Sequence, residues 1–143
     1  MSHSILLNSH FRVDAGFNSL DTISVNGLQT SVQVITTHLG SSPDPLPHKN
    51  PGAQSVGNVV IRRFMKNGDN DFSNWMNTVN LGTVERRDIT ISLLNHQHEP
   101  VYVWRLLQAF PVRHSFGSLD ASRCEAMWEE LEITFDRLVS STV

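Results

Sequence analysis

Trp75-(x)6-Gly82-x-Val84-x-Arg86, Ile91-x-Leu93, Pro100-Val101-x-Val103-Trp104, Pro111 and Leu119-x-Ala121 follow one another down the second half of this chain, which closes on an alternating run from Met127 to Phe135. A helical signal gives way to strands that alternate to their ends. No cluster of catalytic side chains interrupts them. The pattern is that of a building block rather than an enzyme.

The helical signal comes first. Phe72, Trp75, Met76 and Val79 fall at i, i+3, i+4 and i+7, one face of a helix over about 70–81. Asn67-Gly68-Asp69-Asn70-Asp71 supplies its start, with Asp69 or Asp71 expected as the cap because an oxygen there accepts the first free amides. Gly82 ends it. The stripe reads as core packing, a single helix covering a sheet. Thr83–Leu94 is expected as the next strand, with Ile89, Ile91 and Leu93 on one face. Asn95–Glu99 is a hairpin turn, Pro100–Leu107 the return strand, and Pro111 is expected to halt or bend it at a sheet edge. Ser115–Ser122 reads as a loop. Over Glu125–Leu138 propensity favours helix, but Leu131-Glu132-Ile133-Thr134-Phe135-Asp136 alternates strictly, and period decides for strand.

The first half is also mostly strand. Phe11-Arg12-Val13 begins one that breaks at Gly16. Thr22-Ile23-Ser24-Val25 alternates, and Asn26-Gly27 is a turn signal. Leu28–His38 carries Thr30, Val32, Val34, Ile35, Thr36 and Thr37, whose crowded β-carbons favour extended backbone. Asn58–Met65 resumes as strand. Between them Pro43, Pro45, Pro47 and Pro51 predict a loop over Gly40–Gly52 with neither helix nor central strand. It is read either as a solvated loop or as an arm that orders on a neighbour, and Leu46, apolar among breakers, suits the second.

With 143 residues, the chain has the size of one domain with one core; residues 1–10 are expected as a flexible arm and 40–57 as an extended segment. Charged residues are only 17%, against about 25% in an average soluble protein, which suits surface that meets a partner. A net charge of −3 argues against a dedicated nucleic-acid binder. Cys124 is the single cysteine, so no internal disulfide or cysteine zinc site exists, as suits a reducing compartment. No signal peptide and no membrane span are expected, since no run approaches about 18 apolar residues.

Candidate chemistry is thin. His96-x-His98 puts two imidazoles on one side of a strand, half of a metal site without an obvious third ligand. Asp21, His38 and Ser41 or Ser42 make only a nominal triad, with no Gly-x-Ser-x-Gly elbow. Cys124 lies between Arg123 and Glu125, whose effects on its thiol oppose each other. Glu129, Glu130 and Glu132 read as a solvated strand face, since nothing suggests the sugar cleft that paired glycosidase carboxylates need. No phosphate-cradling glycine loop occurs. No catalytic residue, cofactor or metal is therefore expected.

Residues 11–138 resemble the tail-tube proteins of contractile phages and injection systems. Phe11-x-Val13 and Val25-Asn26-Gly27-Leu28 are similar to that family's opening strand and its Val-Ser-Gly-Leu turn, with Asn26 in place of the serine. Pro51-Gly52 ahead of Asn58-Val59-Val60-Ile61-Arg62-Arg63, and then Trp75, Gly82, Val84, Arg86, Ile91, Leu93, Pro100-Val101, Trp104, Pro111, Leu119-x-Ala121 and Glu130-(x)4-Phe135, continue the pattern in order.

The resemblance implies a mainly β fold, a small β-barrel or two packed antiparallel sheets with one flanking helix. It implies hexameric rings stacked into a hollow tube, a sheath around it, baseplate and terminator proteins at its ends, and DNA or effector protein as luminal cargo. It places assembly in the bacterial cytoplasm, followed by incorporation into a phage tail or an extracellular or cell-associated contractile particle. The extended segment is then expected to cross to a neighbour, with Leu46, Pro47, Pro51, Gly52 and Phe11 at the inter-subunit interface. Alternatives are a baseplate tube-initiator paralogue, a secreted hexameric effector carrier and a small β-barrel hydrolase.

Overall fold

The computed structural model describes residues 5–16, 22–38, 40 and 46–143. They form strands β1 (Phe11–Asp14), β2 (Thr22–Asn26), β3 (Thr30–Thr37), β4 (His48–Val56) and β5 (Val59–Phe64), helix α1 (Asp71–Asn80), then β6 (Arg87–Leu94), β7 (Pro100–Phe116), β8 (Trp128–Thr134) and β9 (Arg137–Thr142). The mainly β expectation with one helix holds. Two antiparallel sheets are present: a seven-stranded one ordered β1-β6-β7-β8-β5-β2, with β9 also on β7, and a two-stranded β3–β4 ribbon.

Strand β7 explains how the large sheet folds over itself. Its first part pairs with β6 and β9, and its second part with β8. Between them Gln108 adopts a left-handed φ of 56°, and the register to β6 slips between Arg87 and Ile89. The Asp88 carboxylate accepts from the Gln108 amide at 3.1 Å, so the distorted backbone keeps a partner. The bend brings the two halves face to face. Val13, Ile89, Ile91 and Leu106 from one half meet Val59, Ile61, Leu131 and Ile133 from the other in one buried core. Each such side chain contributes roughly 1.5–3 kcal/mol of transfer free energy. The sheet nevertheless stays open. Its end strands β1 and β2 are not paired with each other, so the barrel alternative is not realised.

Helix α1 packs Phe72 and Trp75, both fully buried, onto this core, while Met76 and Val79 are half-buried. Asn70, not Asp69 or Asp71, occupies the cap position, and its side chain makes no capping bond. The Asp69 carboxylate accepts from the Asp71 amide at 3.2 Å instead. At the other end Gly82, with φ 79°, donates to the Val79 carbonyl, and Thr83 donates to that of Thr78. This is the paired closure that a left-handed glycine permits.

Four further expectations need correction. Thr83–Arg86 is not strand, because the Glu85 backbone binds the helix: Trp75 Nε1 donates to the Glu85 carbonyl at 2.7 Å and the Glu85 amide to Thr78 Oγ1 at 3.2 Å. Pro111 does not halt β7, which runs on to Phe116, although it does lie on an edge, where β7 pairs with β8 alone. It is fully buried opposite Ile133, and a register shift between Pro111 and Arg113 absorbs its missing amide hydrogen. The last alternating run ends at Thr134; Phe135 is buried, the Asp136 amide donates to the Leu107 carbonyl, and the chain reverses into β9. The proline segment is not loop throughout, because β4 runs through Pro51 and Gly52. Pro51 is tolerated there because β4 pairs on one side only and the register slips nearby, between Val32 and Val34.

Candidate assembly surfaces

The ribbon is the first surface without a role inside the fold. Neither β3 nor β4 pairs with any strand of the large sheet. Every residue of β3 is exposed, including Val32 at 52% and Val34 at 59%. Two strands alone are marginal in water, since they bury too little to offset chain entropy. Its base is well fixed. Leu28, Val25 and Val56 pack against the core. Gly27 takes φ 96°, and a β-carbon there would collide with the Asn58 carbonyl.

The expected interface residues divide between two places. Leu46, Pro47, Pro51 and Gly52 lie on or just before β4, with Leu46 71% exposed. Phe11 lies apart, half-buried on β1. It lines a groove of about 310 Å3 between the unpaired ends of the sheet, together with Ile23, Val25, Leu28, Leu93 and Trp104. Of the helix residues, Phe72 and Trp75 belong to the buried core, while Met76 and Val79 are half-buried.

The acidic run is not a solvated face. Glu129 is buried, bonded to Arg63 Nε at 2.9 Å and to His114 Nε2 at 3.0 Å. Arg63, equally buried, also forks onto Asp69 through two bonds of 3.1 Å and lies 3.9 Å over the Phe72 ring. The guanidinium thus ties helix α1 to the sheet. On the opposite face of the same strands, Arg62 pairs with Glu130 and Arg113 with Glu132. Arg62 and Arg63 stand directly across from Glu130 and Glu129 in the register, so the acids and bases were placed by strand pairing. Sequence alternation showed two faces without showing this partner strand.

His10 adds a third imidazole beside His96 and His98, with ring centroids 6.3 and 5.8 Å away. Even so, no group of three such residues fit to hold a metal occurs among the described residues. Asp21, Ser41 and Ser42 of the nominal triad lie outside the described residues. Cys124 is exposed, on a loop where Arg123 reaches both Asp120 and Glu125. The Ser122 hydroxyl and amide hold the Asp120 carboxyl below its ordinary range. No helix among the described residues is long and apolar enough to cross a membrane.

The family model described as T4-like virus tail tube protein gp19 matches residues 7–139. The chain belongs to this tail tube family. It is a structural tube protein, not an enzyme. Among solved structures, this tail tube protein resembles a chain of the PVC extracellular contractile injection system, in its sheath–tube complex in the extended state. Identity is 28% and the TM-score 0.88, over 99% of this chain and 94% of that chain. It resembles a chain of the anti-feeding prophage tube-terminating cap at 26% identity and TM-score 0.88, over 100% of this chain and 95% of that one. Hcp1 from Flavobacterium johnsoniae shares the fold at 13% identity and TM-score 0.57, over 91% and 93%. No curated protein sequence matches the chain.

Proposed function

We propose that this tail tube protein is the repeating subunit of the inner tube of a contractile particle. Hexameric rings stack into a hollow conduit, a sheath surrounds it, and baseplate and terminator proteins close its ends. DNA or effector protein passes through the lumen. Assembly takes place in the bacterial cytoplasm, and the product is part of a phage tail or of an extracellular contractile particle. The chain forms one tail-tube domain whose arm and extended segment serve neighbours, with Leu46, Pro47, Pro51, Gly52 and Phe11 at the contacts.

The observation that carries this reading is the β3–β4 ribbon, which projects from the sheet with β3 wholly exposed. Such a ribbon is stable when it packs on a neighbour. Head-to-tail contacts generate rings when the rotation closes and filaments when it does not, so one subunit type supplies both. The likeness to a chain of a sheath–tube complex supports the sheath as partner, and that to a terminating cap supports partners at the tube end. Expression with the sheath protein tests the reading. Sheathed tubes containing this subunit in many copies are expected, whereas a specialised ring at one end only would make it an initiator.

A further inference from the structure

Natural proteins shield exposed strand edges with charges or proline. Strand β3, Thr-Ser-Val-Gln-Val-Ile-Thr-Thr, has neither, and strand β2, Thr-Ile-Ser-Val-Asn, has neither. Strand β2 is the terminal strand of the large sheet, paired on one side to β5. Beside it runs the apolar groove of about 310 Å3, whose lining among the described residues includes no ionisable side chain. Among the described residues, one molecule therefore carries a projecting strand and a receiving edge that neither charge nor proline shields, over an apolar floor.

We infer that β3 of one copy adds to the β2 edge of the next, laying Val32 and Val34 into the groove beside Phe11, Val25, Leu93 and Trp104. This deepens the tube reading and rests on it. Residues two apart along a strand share a face, about 6.6 Å from one another, so both valines enter together. The other residues of that face, Thr30 and Thr36, are β-branched and uncharged. No charge on β3 has to be desolvated, and none stands among the described residues of the groove. The receiving groove belongs to another copy. The ribbon rises from Leu28, which lines its own copy's groove, yet all of β3 is exposed, so β3 does not fill that groove in its own copy. The contact is heterologous, donor face to receiver face, and propagates from copy to copy.

Cysteine pairing tests it on the full-length chain. In a Cys124→Ser background, Val34→Cys and Ile23→Cys together place one thiol on the donor and one on the receiver. Disulfides form only where the two β-carbons come close, about 3.5–4.5 Å apart. Oxidation of the assembled protein is expected to give a covalent ladder from dimer upward, lost with reductant and absent from either single variant. Rings or tubes without that ladder, or a bond within one chain, would overturn this contact while leaving the tube reading intact. A chain that never assembles would overturn both. If the cysteines impair folding, hydrogen exchange on the unsubstituted protein serves instead. Assembly is expected to slow exchange at β2 and β3 together by tenfold or more, and no change at β2 would overturn the contact.

Discussion

Arg63 is the residue on which most converges. Its charge is removed from water and returned to partners that include Glu129, Asp69 and the Phe72 ring. Removing one member of a buried pair leaves the other uncompensated, which costs about 3–5 kcal/mol. Arg63→Met is expected to lose that much in denaturant unfolding of the subunit. Arg63→Met with Glu129→Leu should recover part of the loss, since the stranded carboxylate is gone; an undiminished loss would mean that Glu129 is not the partner that matters. Asp120 illustrates the opposite, exposed case. Its carboxyl titrates below its ordinary value in the folded state, chiefly through the Ser122 hydroxyl. Its contribution is therefore present above that ordinary value and disappears as pH falls through the folded one. A carboxyl titration followed by NMR should show a low midpoint that rises in Ser122→Ala. At this scale the sequence was least legible. Glu129, Glu130 and Glu132 look alike in the chain, and only the pairing of β8 with β5 sends Glu129 inward to Arg63 and Glu130 outward to Arg62.

Among the elements, helix α1 was the most legible, because the Phe72, Trp75, Met76 and Val79 stripe and Gly82 are local signals. Gly82→Ala, at φ 79°, is expected to destabilise the subunit by about 1 kcal/mol, measured as a lower melting temperature. The strands were legible where they alternate, in β2, β5 and β8, or where β-branched residues crowd together, in β3. They were not where a long-range contact decides. The turn before β9 has no glycine or proline; its cause is the Asp136 amide meeting the Leu107 carbonyl, far away in sequence. Pro51 was misread because a one-sided pairing tolerates what a central strand does not. The ribbon also separates stability from assembly. Val32→Asp with Val34→Asp should leave the unfolding free energy of the lone subunit within about 0.5 kcal/mol, as surface substitutions do. The same protein should fail to form tubes in sedimentation. A large loss of subunit stability would instead place the ribbon within its own core.

For the whole molecule, the deciding feature is what one copy leaves unfinished. The large sheet is open between β1 and β2, and the ribbon stands outside it. The order of residues from Phe11 to Phe135 made the family legible, but neither the open seam nor the ribbon was, because both depend on which edges meet. Negative-stain electron microscopy of the concentrated purified protein tests the central claim most directly. Hollow rings and stacked tubes of uniform width are expected. A field of lone 16.1 kDa particles at every concentration would contradict the account.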